Sequence, residues 1–112
     1  VITSNTPKDW LTEQSNEGLI LALASAIISL PERRDLGRLL QAATKVSRLH
    51  IKYRIVIALG RIFERNLATA ADINRVMAIL DDFEKDADDP LKRRIAQTRA
   101  IINVMMGNSV PA

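Results

Sequence analysis

One imidazole, thirteen carboxylates and sixteen lysine and arginine side chains are the chemically capable groups of this 112-residue chain, which contains no cysteine. Nucleophilic catalysis needs a base beside an activated hydroxyl, and His50 sits instead between Leu49 and Ile51 at a predicted helix start. That position suits a packing or capping residue. One histidine without cysteine also argues against a zinc site, which draws its ligands from several such groups. Carboxylates cluster at Asp81, Asp82, Asp86, Asp88 and Asp89. Their spacing lacks the alternating oxygen ligands and central glycine of a calcium loop, so at most they attract cations incidentally. Gly18, Gly37, Gly60 and Gly107 lie too far apart for a phosphate loop or a dinucleotide fingerprint. The chain therefore reads as a non-enzyme with no catalytic residues, no metal and no cofactor. An enzyme would have to pair His50 with a carboxylate or borrow groups from another chain.

Charge carries more information, because a net charge of +3 hides strong segregation. Residues 1–30 carry −2, residues 31–65 carry +6, residues 66–91 carry −5 and residues 92–112 carry +4. Arg34, Arg38, Lys45 and Arg48 fall near one side of one predicted helix, and Arg54, Arg61 and Arg65 line the next. Such rows either solvate amphipathic helices and pair with the acidic 81–89 segment, or meet a partner. An acidic protein surface suits them better than nucleic acid: the acidic block opposes phosphate, and Tyr53 alone offers a stacking ring among the basic positions. The expected function is a protein-interaction or scaffolding domain whose Arg34, Arg38, Arg54, Arg61 and Arg65 touch a partner with an acidic surface. The alternative is a nucleic-acid-binding module using the same side chains.

The elements that must position these residues are helices, since apolar residues recur at three and four and nowhere alternate in twos. Thr6 and Pro7 open a short helix reaching about Gln14, within a polar lead-in over residues 1–15. Asn16 caps a second helix over residues 16–30, apolar on nearly every side and so expected in the middle of the fold. Pro31 ends it. Leu36, Leu39, Leu40, Ala43 and Val46 stripe a third helix, and Ser47 is placed to cap the next, striped by Ile51, Ile55, Leu59 and Ile62. Thr69 with Asp72 forms the start of another, and Asp89 with Pro90 starts the last, closed by Gly107. The class is all-α, with about five helices in antiparallel hairpins that form a small bundle or a short helical-repeat stack. Gly37 and Gly60, inside helical stretches, imply close helix contact.

The run Ile51-Lys52-Tyr53-Arg54-Ile55-Val56-Ile57-Ala58-Leu59-Gly60-Arg61-Ile62 resembles the second helix of a HEAT-type repeat, with an aliphatic-basic pair followed by Ala-Leu-Gly. Asp89-Pro90-Leu91-Lys92 resembles a second such start about forty residues on, near the HEAT period. Thr98-Arg99 then stands where Ala-Leu belongs. The resemblance, HEAT-like or ARM-like, implies two hairpins at residues 31–65 and 69–106, in a right-handed stack that presents a surface to macromolecules. Two hairpins are fewer than a self-sufficient stack needs, so either the apolar helix at residues 16–30 acts as a cap or further repeats lie outside this fragment.

The chain reads as one domain over residues 1–112, cut from a longer protein whose other domains are further candidate partners, with a tail at 107–112. The apolar run at 19–30 spans about 18 Å as a helix, too short for a bilayer. No targeting segment is visible, which leaves the compartment open with the cytoplasm as the default. The apolar stripes are broad enough to suggest surplus surface, and Ile101, Val104 and Met105 on the last helix are the candidate homodimer contacts.

Overall fold

The computed structural model describes residues 7–13 and 16–107, and these form six α-helices with no strand among them. The helices are α1 (Lys8–Glu13), α2 (Glu17–Ser29), α3 (Asp35–Ala43), α4 (Leu49–Glu64), α5 (Ile73–Lys85) and α6 (Asp89–Met105), and a 3-10 turn, Ala70–Asp72, leads into α5. The all-α class stands as expected. The Thr6 cap, the Gln14 boundary and the polar ends at residues 1–6 and 108–112 lie outside the described residues.

Local chemistry explains most boundaries. Asn16 Oδ1 accepts from the Gly18 N–H at 2.8 Å and from the Leu19 N–H at 3.3 Å, capping α2 as its sequence position indicates. Asp72 Oδ2 accepts from the Thr69 backbone and hydroxyl, closing the turn before α5. Asn66 at φ 58 and Gly107 at φ 71 take left-handed conformations just past the ends of α4 and α6. Two caps differ from expectation. Asp88 rather than Asp89 caps α6, its Oδ1 accepting from the Leu91 N–H, which leaves Asp89 and Pro90 as the first two helical residues. Ser47 does not cap α4. Glu17 of α2 does, with Oε1 accepting from the Ser47 and Arg48 N–H groups at 2.8 and 2.9 Å.

Consecutive helices pair as α1/α2, α3/α4 and α5/α6, and the three hairpins stack side by side. One layer holds α2, α4 and α6; the other holds α1, α3 and α5. Helices within a layer run parallel. The start of α2 meets the start of α4 through Glu17, and Thr98 of α6 lies beside Val56 of α4, while Ile101 lies beside Gly60. Lys8 and Thr12 of α1 likewise meet Asp35 and Lys45 in ascending order along α3 and its exit. A third hairpin, α1/α2, thus joins the two read from the sequence. It holds the α2 that was expected in the middle, whereas α4 is the helix packed on both sides, by α2 and α6. The outer sides of α2 are only half-covered, and Leu30 is 67% exposed at its end.

Packing follows the helical stripes. Ile51, Ile55, Leu59, Ile62 and Phe63 of α4 are fully buried against Leu23 and Ile27 of α2, Leu39 of α3, Phe83 of α5, and Ile95 and Ile102 of α6, in one continuous core. Gly60 matters at the α4/α6 seam. A methyl there would lie 3.3 Å from Thr98 Oγ1, which itself donates to Val56 O at 3.1 Å in the buried interface. Gly37 is different: a methyl would meet nothing within 4 Å, so the close contact expected at both glycines exists only at Gly60.

Candidate functional site

Several basic residues fasten the protein to itself. On the α1/α3 layer these are Lys8, Arg38 and Lys45. Asp35, fully buried, accepts from Lys8 Nζ at 2.9 Å, Arg38 Nη1 at 2.7 Å and the Glu32 N–H at 2.7 Å. Arg38 also donates Nε to Asp9 at 2.8 Å, and that hydrogen bond, with the charge behind it, holds the Asp9 carboxyl below its usual range. The same bond leads the causes that raise the Arg38 guanidinium. Lys45 Nζ donates to the carbonyl of Thr12. Arg38, expected from the sequence to touch a partner, is held here as an internal clamp between α1 and α3. Arg34 is exposed at the entrance of α3, in the same layer.

The acidic segment is also partly engaged. Arg99 of α6 donates to Glu84 and Asp81 of α5, an arrangement that raises its guanidinium pKa with the Glu84 hydrogen bond as the leading cause. Lys52 lies 3.6 Å from Asp86 and 5.2 Å above the Phe83 ring, its stem buried among the helices. Pairing inside the molecule accounts for part of the charge alternation read from the sequence.

On the α2/α4/α6 layer the arrangement is different. Where α4 and α6 begin, a cleft of about 610 Å³ opens between Leu21 of α2, Leu49, Tyr53 and Ile57 of α4, and Pro90 of α6, with His50, Arg54 and Asp88 at its edges. Arg94 of α6 stacks on the Tyr53 ring at 5.6 Å. Arg54 and Arg65 are exposed and make no ion pair among the described residues, and Arg61 reaches Glu64 only at 3.9 Å. At the far end of the same seam Glu64, Ala100, Ile101, Val104 and Met105 line a shallower cleft of about 330 Å³. Val104 is 64% exposed there, and Ile101 is half-buried against Gly60. The seam thus runs from an apolar cleft, past Arg54, Arg94 and Arg61, to an apolar ridge. At 1.5 Å per residue, the 16 residues of α4 give it a length of about 24 Å.

Of the five arginines expected to meet a partner, the fold brings Arg54, Arg61 and Arg65 onto this layer and separates Arg34 and Arg38 from them. Arg94 is the residue the sequence reading missed. The forty-residue step between the stretches at 51 and 91 carries Tyr53 to Arg93 instead, so no signal in the sequence singles out Arg94.

His50 and Asp88 do line the same cleft. Asp88 Oδ1 is already engaged as the α6 cap, and the remaining walls are mainly apolar. Among the described residues no group of three or more histidine, aspartate or glutamate side chains could hold a metal ion, and no helix is long and apolar enough to cross a membrane. No protein-family model, curated protein or solved structure matches the chain.

Proposed function

We propose that this chain is a non-catalytic protein-interaction module, a short HEAT-like stack of helical hairpins that offers the α4/α6 seam to an acidic segment of a partner protein. The observation that carries this reading is the mainly apolar cleft between α2, α4 and α6 with arginines beside it. Arg38 and Lys8 are tied to buried or neighbouring carboxylates, whereas Arg54 lines the cleft with no ion pair among the described residues and Arg94 stacks on the cleft's Tyr53. Arginine with an aromatic neighbour in a partly desolvated cleft is the composition that carries binding energy at protein interfaces. The parallel stacking of α4 on α6 supports the repeat-like reading, because Val56 lies beside Thr98, 42 residues on, within two residues of the forty-residue step between the stretches that resemble a HEAT-type helix.

The test begins with capture of partners by the wild-type protein, followed by titration of each purified partner. An Arg54→Glu/Arg94→Glu variant should lose at least about tenfold in affinity, and an Arg33→Glu control in the other layer should lose none. Equal affinity for all three proteins would remove this seam from the argument. Labelled single-stranded DNA and RNA at about 50 mM salt provide the competing reading. Binding there that collapses steeply with added salt would replace the protein partner with nucleic acid.

A further inference from the structure

Each ionisable side chain in the lining of the larger cleft keeps an unused hydrogen-bonding end. The His50 imidazole and the Arg54 guanidinium make no hydrogen bond or ion pair among the described residues, and Asp88 engages Oδ1 with the Leu91 N–H while its Oδ2 accepts nothing there. The two signs stand on different helices. His50 and Arg54 belong to α4, and Asp88 caps α6. From this pairing of basic and acidic edges around apolar walls, we infer that the cleft binds a free α-amino acid with a large apolar side chain. Its carboxylate pairs with Arg54 and His50, its ammonium group with Asp88, and its side chain lies against Tyr53, Leu21 and Ile57. The inference goes beyond the protein-interaction reading and does not depend on it.

A cleft of about 610 Å³ falls within the range of small-molecule sites, about 300–1,000 Å³, whose linings are mainly apolar with a few polar groups that fix orientation. The signs of those groups select the ligand. A simple anion that pairs with Arg54 meets the charge of Asp88 in the same cleft, and a simple cation that pairs with Asp88 meets that of Arg54. A zwitterion satisfies both edges. A free amino acid carries its two charges and its side chain on a single carbon, whereas a peptide separates its terminal charges by the length of the chain.

The spacing on α4 suits this ligand. His50, Tyr53, Arg54 and Ile57 stand three and four residues apart, so they are neighbours on one side of the helix. One carboxylate can therefore accept from the arginine fork and from the imidazole together. Tyr53 is held by the stack of Arg94 at 5.6 Å, which sets the ring before a ligand arrives and limits the ordering lost on binding. An apolar side chain laid on that ring and on the Leu21 and Ile57 walls adds burial that glycine cannot supply.

The probes are L-tryptophan, N-acetyl-L-tryptophan without the ammonium group, L-tryptophan amide without the carboxylate, and glycine without the side chain. Binding is measured by calorimetric titration and by the NMR signals of the His50 imidazole, the one histidine in the chain. L-tryptophan should bind at least about tenfold more tightly than each of the other three and should move the His50 signals. Two variants separate the contacts. Arg54→Gln should weaken L-tryptophan by about tenfold and leave the amide unchanged, and Asp88→Asn, which keeps a capping side chain, should weaken L-tryptophan and leave the N-acetyl compound unchanged. Circular dichroism spectra matching the wild type establish that both variants fold. Four results overturn the inference: no binding of L-tryptophan at about 10 mM, equal affinity for L-tryptophan and any one of the other probes, binding that leaves the His50 signals in place, or unchanged L-tryptophan affinity in either variant. The protein-interaction reading is judged separately, by partner affinity in Arg54→Glu/Arg94→Glu, and none of these four results bears on it.

Discussion

Replacing Gly37 and Gly60 by alanine, one at a time, tests the closeness of the α4/α6 seam. Both glycines lie inside helices, and in each an alanine removes the entropic penalty of glycine, worth about 1 kcal/mol of stability. At Gly37 nothing stands within 4 Å of the new methyl, so the full gain is expected. With an unfolding entropy of about 2.1 cal/mol/K per residue, 1 kcal/mol corresponds to a rise of about 4 °C in melting temperature for a chain of this size. At Gly60 the methyl meets Thr98 Oγ1 at 3.3 Å, Ile101 Cδ1 at 3.5 Å and Thr98 Cγ2 at 3.7 Å. Thr98 has little freedom to retreat, because its hydroxyl is held 3.1 Å from Val56 O inside the interface. Overpacking a seam of this kind costs about 1–3 kcal/mol, which cancels or outweighs the propensity gain. Urea and thermal unfolding followed by circular dichroism should therefore place Gly37→Ala above the wild type and Gly60→Ala at or below it. The Gly60→Ala/Thr98→Ala pair should show positive coupling, since removing the threonine side chain restores room for the methyl. If Gly60→Ala stabilises the protein as much as Gly37→Ala, the helices do not approach as described and the parallel stacking argument fails.

Asp35→Asn should destabilise the fold by about 3 kcal/mol, near the low end for breaking a buried ion pair, because Lys8 and Arg38 keep 11% and 15% of their side chains in contact with water; an unchanged denaturation midpoint would refute the clamp. Glu17 is held below its usual pKa, first by the Arg48 backbone N–H and then by that of Ser47, so its contribution is present above the unfolded glutamate value of about 4.3 and is lost as pH falls through the lower folded value. Glu17→Gln should remove that part of the acid dependence and loosen the start of α4, visible as faster amide exchange at the first turn; an acid profile identical to that of the wild type would reject the cap. A second copy seated on Ile101, Val104 and Met105 predicts concentration-dependent sedimentation that Val104→Asp abolishes, and a lone 12.5 kDa species at high micromolar concentration would exclude the homodimer.

The elements were legible because helical signals are local. Asn16, the Thr69/Asp72 pair and Gly107 each act within a few residues, and their roles in the structure are those their positions imply. Where the cap comes from another helix, local reading fails. Ser47 has the right residue type just before α4, yet Glu17, 30 residues earlier, reaches the Ser47 and Arg48 amides first. The Asp88/Asp89 ambiguity is of another kind, since two adjacent aspartates both precede Pro90 and only backbone geometry selects between them.

The candidate site shows the same division between local and distant information. A helical period of 3.6 places Arg54, Arg61 and Arg65 on one side of α4 from sequence alone. It equally places Arg34 and Arg38 on α3, but it carries no information about what stands opposite. Only the fold brings Asp9 and the buried Asp35 to Arg38 and makes it a clamp. Arg94 is the reverse case: in sequence it is one of three consecutive basic residues of α6, and it becomes distinct because parallel stacking sets it over Tyr53. What turns a row of arginines into a candidate site is the registry between α4 and α6, and Thr98 with Gly60 fixes that registry. The residues that hold the seam together and those proposed to use it are therefore coupled. A variant that opens the Gly60/Thr98 contact should shift the Tyr53/Arg94 stack as well, readable as a change in Tyr53 fluorescence, and an unaltered tyrosine signal in a loosened seam would break the link between packing and site.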